Sequence, residues 1–560
     1  MQLGRPTQPR CHFLPIPLSL EAIAAQRVAR CNHPMATARS QAAPMETQSM
    51  YLTAGLHRSM QRHPDKIATV TGTRRQTYRQ LVDRVARTAS ALRALGLQPG
   101  ERLSVLALNS DRMIELLLAG AWAGLVINPI NTRWTPAEVA YALNDCGASA
   151  LAVDDALMPT AQAMTDPLPT LRLRIDIGET QAPAGYVSLE AQLATAQPLE
   201  DVRSTPDTLA AIVYTGGTTG FPKGVMLSHG NLWASLVGRM AEVPNPPHYV
   251  TLLTSPMFHV AGLGRMLGQT VVGGTCVTIP AFQPQQVVEI MAREGVNDLV
   301  IVPSMLQMLL DTPGFDPQGL PRLERILWGA APITLPLLRR ALQAFPEVDF
   351  IHVYGMTETS AAVSALPILR DAAFLDSERI RSAGQAGVSA EIRIADEQGC
   401  EVPPGTPGEI LVRGPAVMQG YWGREEDTRK ALAGGWLHTG DGGVMDAHGY
   451  LYVIDRIKDM VITGGENVYP AEVESTLTTH PAVSMCAVIG LPHEKWGEAV
   501  HAIVVLKPGA QASAEELSAH CHKGISGYKC PKTYEFRDKL PLTAAGKVQK
   551  TELRKTAARA

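Results

Sequence analysis

The 560-residue chain lacks any excess of charge of one sign and is poor in aromatic residues. Lys and Arg number 50 and Asp and Glu number 53, which gives a formal net charge of −3, and aromatic residues make up 5%. Nucleic-acid binding depends on clustered positive charge. The composition therefore excludes a polybasic nucleic-acid binder and disfavours an aromatic stacking surface.

The eight cysteines include no Cys-x-x-Cys pair. In a chain of this length they indicate scattered reduced thiols in a cytosolic protein, not a disulfide framework. The short cluster His520-Cys521-His522, with Cys530 nearby, matches no common zinc spacing. We expect this cluster to be ordinary helix surface.

The sequence also lacks an uninterrupted apolar run long enough to cross a bilayer. Val243–Gly264 and Met266–Val288 contain no Asp, Glu, Lys or Arg, but Pro, Gly and polar residues break both. Met113–Ile130 is the most apolar helical candidate, and with Glu115 inside it predicts a buried helix followed by a strand. We therefore predict no transmembrane segment.

Residues 1–47 differ in composition from the rest, because they contain five Arg against two Glu. An Arg-rich, acid-poor start is typical of an organelle transit peptide. The alternative is a later translation start, since Met35, Met45 and Met50 all precede the patterned region. In either case we predict a disordered N-terminal extension.

From about residue 50 onward, short apolar runs alternate with helical patterns, and the runs lead into Pro- or Gly-marked turns. This alternation is typical of an α/β protein with largely parallel sheets, whose ligands collect at the carboxyl ends of the strands. The predicted strands are Thr208–Tyr214, Asp298–Val302, Arg325–Trp328 and Asp349–Val353, and the predicted helices are Ser110–Ala123, Leu232–Met240, Met305–Leu310 and Leu335–Ala344.

The pattern changes towards the C-terminus, where Glu409–Arg413 and Tyr450–Val453 are strand-like without long helices. After a connection at Asp455–Asp459 comes a second unit of about 100 residues, long enough for a separate domain. Its predicted helices are Ala471–Thr478 and Ala514–His522, and its predicted strands are Met485–Ile489, Ala499–Leu506 and Thr533–Phe536.

The strongest local signal runs from Tyr214 to Val225 and reads Tyr-Thr-Gly-Gly-Thr-Thr-Gly-Phe-Pro-Lys-Gly-Val. Gly lets backbone N–H groups approach a phosphate, Thr adds hydroxyl donors, and Lys223 adds a cation. The segment is not a Walker A loop, because Lys223 follows Phe221-Pro222 and not Gly. Phosphate binding is the favoured interpretation, and a bare turn is the alternative.

Further motifs follow downstream. They are Trp328-Gly-Ala-Ala-Pro332, Tyr354-Gly-Met-Thr-Glu-Thr359, Thr439-Gly-Asp441, Asp455-Arg-Ile-Lys-Asp459, Gly464-Gly-Glu-Asn-Val-Tyr-Pro470 and Gly546-Lys547. In this order and spacing, the set resembles the adenylate-forming superfamily of acyl-CoA and aryl-CoA synthetases, firefly-type luciferases and peptide-synthetase adenylation domains. The resemblance covers about residues 50–560.

The resemblance implies a large multi-sheet α/β N-terminal domain at 48–455, a hinge at 456–459 and a small mobile α+β domain at 460–560. It implies ATP, Mg²⁺ and coenzyme A as cofactors, and two reaction steps. A carboxylate attacks the α-phosphate of ATP to give an acyl-adenylate and pyrophosphate, and a thiol then displaces AMP. Because a carboxylate is already ionised at neutral pH, the first step needs no general base. It needs cations and preorganised donors around the phosphates.

By this resemblance, Thr215 and Lys223 hold the phosphates together with the loop residues Gly216, Gly217, Thr218, Thr219 and Gly220. Glu358, flanked by Thr357, matches the family's magnesium-linked Glu, and Thr215 is a second expected contact of the metal. Oxygen ligands suit this hard cation. A solvated surface carboxylate is the alternative for Glu358.

The resemblance also implies the nucleotide site. Asp441 matches the ribose-binding Asp, against the alternative of an Asx-turn after Gly440. Arg456 is expected to contact the nucleotide, and Lys458 falls at the hinge. The remaining expected residues belong to two motifs and are Gly329, Ala330, Ala331, Pro332, Tyr354, Gly355 and Met356.

Lys547 matches the catalytic lysine that bridges the carboxylate and the α-phosphate, against the alternative of a solvated lysine. Glu358 and Thr357 complete the predicted catalytic set. His259 matches the gate between the ATP and acyl sites, against the alternative of a packed core histidine, and Met305 is expected beside the acyl group. The final pair, Gly464 and Gly465, matches the loop that faces CoA in the thioester-forming state.

Two positions depart from the family's pattern. Gly216 stands where most relatives have Ser or Thr, which removes one hydroxyl contact to phosphate and predicts weaker ATP binding. Ala545 precedes Gly546 where a hydroxylated residue is frequent. Neither change removes a residue that the chemistry requires.

The acyl substrate is weakly constrained by the sequence. Met, Val and Gly near His259, Val302–Met305, Gly329 and Gly355 predict an apolar tail without a second charged group. A medium- to long-chain fatty acid is therefore favoured, and an aryl or aryl-alkenyl acid is the alternative.

The acceptor is predicted to be CoA, because the 13 residues after Lys547 leave no room for a carrier domain in this sequence. A freestanding enzyme that loads a separate carrier protein is the alternative. Since the last three residues are not a peroxisomal signal, we expect a cytoplasmic enzyme. The oligomeric state stays open between a monomer and a homodimer.

Overall fold

The computed structural model describes residues 50–215, 222–456, 459–463, 466–543 and 547–557. The predicted extension at 1–47 lies outside these ranges. The α-helices are Ala54–Arg62, Tyr78–Ala94, Asp111–Trp122, Pro136–Asp145, Met158–Gln162, Leu189–Leu193, His229–Glu242, Val260–Val272, Pro284–Glu294, Pro303–Leu310, Leu335–Ala344, Ala372–Leu375, Glu425–Ala431, Pro470–Thr478, Ala514–Gly524 and Lys550–Ala557. Short 3-10 turns occur at Pro317–Gly319, Thr357–Thr359, Glu378–Arg381 and Ala433–Gly435.

A nine-stranded sheet, here the first sheet, carries several of the predicted motifs at its strand ends. Its strands pair in parallel from Asp349–Met356 to Ile67–Thr71 and antiparallel at both edges. In spatial order they are Gln385–Ala386, Ala361–Pro367, Asp349–Met356, Arg325–Gly329, Asp298–Ile301, Val250–Leu253, Thr275–Thr278, Ile67–Thr71 and Arg74–Thr77.

An eight-stranded sheet, the second sheet, is parallel in its larger part and carries the strands that flank the Gly/Thr loop. In spatial order its strands are Gly420–Tyr421, Lys223–Ser228, Leu209–Thr215, Val126–Pro129, Arg102–Leu106, Ala150–Val153, Leu173–Asp176 and Val187–Ser188. The three strands from Gly420–Tyr421 to Leu209–Thr215 pair antiparallel, and the others pair in parallel.

Two smaller sheets follow in the sequence. The third sheet is antiparallel, with strands Glu391–Ala395, Gly408–Arg413, Leu437–Met445 and Leu451–Arg456. The fourth belongs to the small C-terminal domain, with strands Glu466–Val468, Val461–Thr463, Gly497–Leu506, Val483–His493 and Thr533–Phe536. The expectation of a large α/β domain followed by a small α+β domain is confirmed.

Local sequence signals explain where several helices begin. Thr77 accepts a hydrogen bond from the Gln80 backbone, and the Gln80 side chain accepts one from the Thr77 backbone, so a capping box starts Tyr78–Ala94. Thr135 and Glu138 form the same box ahead of Pro136–Asp145, whose first residue is Pro. These caps satisfy N–H groups that the helix itself leaves unpaired.

The predicted elements named above are all present, with ends that differ by a few residues. Asp111–Trp122 is a buried helix followed by the strand Val126–Pro129, as the apolar run predicted. None of the helices within the described ranges has the length and apolar character needed to cross a membrane. One expectation is wrong: Cys521, which was assigned to helix surface, is fully buried in the core of the C-terminal domain.

Gly355 is a fold-determining position that admits no side chain. The antiparallel register between Asp349–Met356 and Ala361–Pro367 shifts beside it, between Tyr354 and Gly355. A Cβ atom at Gly355 would overlap the carbonyl oxygen of Ala361, which is backbone and has no rotamer by which to move away.

We predict that Gly355→Ala lowers the free energy of unfolding by about 1–3 kcal/mol or more, the usual cost of overpacking. Gly319→Ala is the matched control, because a Cβ there meets no atom within 4 Å. Urea unfolding of the two variants measures the difference. Equal stability of the two variants would contradict the steric argument.

Candidate active site

The two strands that flank the Gly/Thr loop pair up to their ends. Thr215 is the last residue of Leu209–Thr215, and its Cα partner is Lys223, the first residue of the next strand. The predicted phosphate contacts Thr215 and Lys223 therefore lie side by side at one edge of the second sheet. Residues 216–221 between them, which include Gly216, Gly217, Thr218, Thr219 and Gly220, lie outside the described residues.

Lys223 is held by an ion pair in this structure. Its Nζ lies 2.9 Å from Asp427 Oδ2 and 5.1 Å from the centroid of the Tyr421 ring. The hydrogen bond from Lys223 lowers the pKa of Asp427 below its ordinary value. A phosphate that binds Lys223 must therefore compete with a carboxylate.

Glu358 lies in the 3-10 turn Thr357–Thr359, between two antiparallel strands of the first sheet. Its side chain is held from another sheet, because the Tyr421 hydroxyl donates to Glu358 Oε1 at 2.9 Å. Its backbone carbonyl accepts from Met418 N at 2.8 Å. Glu358 is 6% exposed, so the alternative of a solvated surface carboxylate does not fit. Thr357 beside it is also buried.

The turn that carries Glu358 has an unusual backbone. Ser360 and Ala361 have φ angles of 56° and 113°, a region that non-glycine residues seldom adopt. The hydroxyl of Thr359 accepts from Met356 N at 3.0 Å and lies 2.7 Å from the carbonyl oxygen of Ala361. Such strain persists only where surrounding contacts fix the conformation, and it is common at functional sites.

Asp441 is oriented by two neighbours. The Tyr354 hydroxyl donates to Asp441 Oδ2 at 2.8 Å, and Asp441 N donates to Thr439 Oγ1 at 3.1 Å. Arg456 is the Cα partner of Asp441 in the third sheet. Two motifs that are 87 residues apart, at Tyr354 and Asp441, thus meet through one hydrogen bond.

The strand Arg325–Gly329 ends at Gly329 and lies beside the strand that contains Tyr354. Gly329 pairs with Val353, and a Cβ on Gly329 would lie 2.5 Å from the Val353 carbonyl oxygen. Ala330 follows with a φ of 67°. The chain therefore turns sharply at Gly329–Ala330, at the carboxyl end of the strand, before it continues to Ala331 and Pro332. Gly329, Tyr354, Gly355 and Met356 share this edge of the first sheet.

His259 caps the helix Val260–Val272, here the gate helix, and its ring lies 5.4 Å from that of Phe258. Burial, together with the positive charges of Lys547 and Arg133, lowers the pKa of His259 to about 4. His259 is therefore neutral near pH 7, and Lys547 of the small domain lies within electrostatic range of it. Met305 is partly buried in Pro303–Leu310.

Backbone contacts place the segment that carries Lys547. The carbonyl of Thr543 accepts from Arg133 Nη1 at 3.0 Å, so the small domain contacts the large one here. The Thr543 hydroxyl accepts from Lys547 N at 3.0 Å, and Leu542 pairs with Val548. The remaining predicted residues Lys458, Gly464 and Gly465 lie outside the described residues.

Comparisons with known proteins agree with this geometry. Residues 56–422 match the AMP-binding enzyme family, and residues 472–547 match the AMP-binding enzyme C-terminal domain. The chain belongs to this family. It is an AMP-binding enzyme of the adenylate-forming superfamily.

Among the relatives of this AMP-binding enzyme is a feruloyl-CoA synthase from Amycolatopsis sp, which is 40% identical over 86% of this chain and 93% of the relative. A fatty acid–[acyl-carrier-protein] ligase from Streptomyces coeruleorubidus is 36% identical over 91% of this chain and 96% of the relative. The solved structure of anthranilate CoA ligase AuaEII with anthranoyl-AMP has a TM-score of 0.84 and 30% identity, and covers 91% of this chain and 98% of that one.

The AMP-binding enzyme is an ATP-dependent acid–CoA ligase, with ATP and CoA as substrates of its family.

Sequence reasoning missed one contact in its candidate site. Tyr421 contacts both Glu358 and Lys223, although it is 63 residues from the former and nearly 200 from the latter. Its only local signal is the adjacent aromatic pair Tyr421-Trp422 in an aromatic-poor chain.

We predict that Tyr354→Phe raises the KM for ATP by about tenfold or more. The variant removes the donor to Asp441, and a hydrogen bond to a charged group contributes about 1.5–3 kcal/mol. Tyr452→Phe is the matched control, because Tyr452 lies on a strand of the third sheet and its hydroxyl is 3.5 Å from Asp446, away from Asp441. Steady-state kinetics at saturating acid and CoA provide the measurement. An unchanged KM for ATP in Tyr354→Phe would refute the role of Tyr354 in orienting Asp441.

We also predict that His259 contributes no titration to activity between pH 5.5 and 8. Its folded pKa is about 4, below the ordinary value, so the neutral form is present throughout this window. His259→Asn should lower kcat/KM while leaving the shape of the pH profile unchanged. His248→Asn, at an exposed histidine, controls for surface charge. A wild-type inflection between pH 6 and 7 that disappears in His259→Asn would show that His259 titrates there.

Proposed function

We propose that this acid–CoA ligase activates an aryl-alkenyl acid, not a long-chain fatty acid. The observation that carries the proposal is the guanidinium of Arg239, which packs against the gate helix. The gate helix leads away from His259, and the guanidinium of Arg239 lies against its Gly268, where a Cβ would be 2.7 Å from Arg239 Nη2. A long alkyl chain would have to displace this buried cation, whereas a short rigid acid ends before it.

The similarity to a feruloyl-CoA synthase supports the same substrate class. The fatty-acid preference expected from the sequence was based on the apolar residues near His259. It did not take into account Arg239, which packs against Gly268 of the gate helix.

In the proposed adenylation step, the acid's carboxylate oxygen attacks the α-phosphorus of ATP and pyrophosphate leaves. Lys547 is proposed to contact the carboxylate and the α-phosphate, which fits its proximity to His259. Lys223 exchanges Asp427 for a phosphate oxygen of ATP. The carboxylate of Asp441, held by Tyr354, accepts hydrogen bonds from the two ribose hydroxyls.

Glu358 and Thr215 are the residues that would hold magnesium together with the phosphates of ATP. Within the described residues no group of three His, Cys, Asp or Glu side chains could hold a metal by itself. Glu358, Thr215 and the phosphates of ATP fit Mg²⁺, because this ion typically binds through one or two protein oxygens together with substrate phosphates and water. The ion would neutralise charge on the phosphates as pyrophosphate leaves.

The second step is proposed to follow once the adenylate has formed. The CoA sulfur attacks the acyl carbon, the new C–S bond replaces the C–O bond to phosphate, and AMP leaves. The hinge at 456–459 and the CoA-facing role of Gly464 and Gly465 remain predictions. A carrier-protein acceptor is the second candidate, supported by the similarity to a fatty acid–[acyl-carrier-protein] ligase.

A pyrophosphate-release panel tests the proposal, with ferulate, cinnamate, benzoate, decanoate and hexadecanoate as acids. We expect kcat/KM for the cinnamates to exceed that for hexadecanoate by about tenfold or more. Lys547→Met should abolish pyrophosphate release with every acid, and it serves as the background control. Reactions with CoA and with a phosphopantetheinylated carrier protein identify the acceptor. A higher kcat/KM for hexadecanoate than for any cinnamate would overturn the aryl-alkenyl assignment.

A further inference from the structure

The helix Glu425–Ala431, here the counterion helix, is fastened to the strand that begins at Lys223. The strand Gly420–Tyr421, just before the helix, pairs with that strand. The next residue, Trp422, donates from its backbone N to the Gly224 carbonyl oxygen at 2.8 Å. The position of the counterion helix relative to Lys223 is therefore set by backbone hydrogen bonds, and the helix brings its side chains close to the candidate phosphate site.

Asp427, on the counterion helix, is within reach of two cations but is hydrogen-bonded to one of them. Its Oδ2 lies 2.9 Å from Lys223 Nζ and 3.9 Å from Arg424 Nη1. The first distance is that of a charge-assisted hydrogen bond, and the second is too long for one. The three side chains are between 25% and 34% exposed. The carboxylate can therefore change partner without leaving a fully buried charge behind.

Arg424 is held from its other side by Tyr141. Arg424 Nη2 donates to the Tyr141 hydroxyl at 2.8 Å. That hydroxyl also lies 3.4 Å from the carbonyl oxygen of Pro222, the residue before Lys223. The Arg424 guanidinium is therefore held beside the start of the strand that carries Lys223, and it does not have to move for Asp427 to reach it.

Arg424 has hydrogen-bonding capacity that these contacts leave unused. Its Nε is buried and has no hydrogen-bond partner among the described residues. A buried donor without an acceptor carries a desolvation cost, which a carboxylate that moved onto Nε and Nη1 would remove. A shift of about 1 Å would bring the Asp427 oxygen from 3.9 Å to an ordinary charge-assisted distance from Nη1.

ATP changes the balance between the two possible partners of Asp427. A phosphate oxygen that binds Lys223 takes the place of the Asp427 carboxylate, because both anions use the same Nζ. The displaced carboxylate is then repelled by the negative charges of the phosphates. Lys430 also acts on Asp427 electrostatically, but its Nζ is already paired with Glu426 Oε1 at 2.7 Å. Arg424 is therefore the cation best placed to accept the displaced carboxylate.

We propose that Asp427 is an exchangeable counterion that pairs with Lys223 before ATP binds and with Arg424 while ATP is bound. Its return to Lys223 after the chemical step helps to displace pyrophosphate. Asp427 and Arg424 are thus positioning residues with opposite effects on phosphate binding, since one competes with the ligand and the other removes the competitor. The inference rests on the proposed function, because it takes Lys223 as a contact of the ATP phosphates.

The test measures the Kd of magnesium α,β-methylene-ATP by calorimetry. This analogue cannot be cleaved at the bond that the reaction breaks, so binding is measured without any acid. We expect Asp427→Asn to lower the Kd by about two- to fivefold, the range expected for a partly exposed ion pair. Arg424→Gln should raise the Kd by about the same factor. The Kd of magnesium pyrophosphate should change in the same two directions.

A double variant separates counterion exchange from simple electrostatics. The charge of Arg424 also attracts ATP directly, so Arg424→Gln alone raises the Kd under either explanation. If Arg424 acts by receiving Asp427, Arg424→Gln should have no further effect in the Asp427→Asn background. An effect of Arg424→Gln that is as large in the Asp427→Asn background as in wild type overturns the exchange.

Two further variants control for charge and for structure. Glu426→Gln removes a negative charge from the same helix, but Glu426 is exposed and paired with Lys430, so the Kd should be unchanged. Asp427→Glu keeps the competing carboxylate and should give a Kd close to that of wild type. Thermal unfolding shows whether each variant is folded, and Arg424→Met replaces Arg424→Gln if that variant is not. A Kd for Asp427→Asn that equals or exceeds that of wild type overturns the inference whatever the Arg424 variants do.

Failure of the proposed function gives a different result. Lys223→Met should raise the Kd of the analogue, because it removes the cation itself. If Lys223→Met binds the analogue as tightly as wild type, Lys223 is not a phosphate contact, and both its proposed role and the exchange are wrong. A raised Kd in Lys223→Met together with an unchanged Kd in Asp427→Asn keeps the proposed function and overturns the exchange alone.

Discussion

The candidate site depends on the turn from Met356 to Ala361. This turn and the strand before it belong to the first sheet, and their residues form hydrogen bonds with the second and third sheets. Glu358 binds Tyr421 and Met418 near the second sheet, and Tyr354 binds Asp441 in the third. The Ser360 backbone accepts from Ser235 Oγ at 2.9 Å, which ties the turn to the helix beside the acyl pocket. The positive φ angles of Ser360 and Ala361 show that the backbone of the turn is strained where these contacts meet. Hydrogen bonds of the Thr359 hydroxyl with the backbone of Met356 and Ala361 hold the turn in place.

The turn carries the candidate metal ligand Glu358, and Tyr354 on the strand before it orients the candidate ribose ligand Asp441 through a side-chain hydrogen bond. This geometry suits a reaction in which the protein mainly orients substrates and stabilises charge. The two lysines of the candidate site, Lys223 and Lys547, belong to different parts of the molecule. Lys223 comes from the second sheet and is held by Asp427, and Lys547 comes from the small domain and lies near His259. In the proposed mechanism, ATP replaces Asp427 at Lys223, and Lys547 adds a second positive charge from the small domain.

The sequence predicted those features that depend on local patterns. The apolar run at Arg325–Trp328 and the glycine after it define a strand and its end, and the Asp349–Val353 run does the same for the next strand. The motifs then predicted which residues gather at that edge. The sequence did not predict the Tyr421–Glu358 contact, nor the position of Arg239 against Gly268, because both depend on how distant segments pack. Cys521 was misplaced for the same reason, since an ambiguous helix face becomes interior only when Val504 and Leu477 pack with it.

In the proposed function, the buried arginines beside the gate helix bear on which acids the enzyme accepts. An apolar pocket discriminates weakly between chains that differ by a methylene, whereas a site built to bind a polar group strongly rejects an analogue that lacks it. The cost of keeping these cations buried is reduced by Asp298, which pairs with Arg265 and Arg325. Unmet hydrogen-bonding capacity therefore remains on both Arg239 and Arg265.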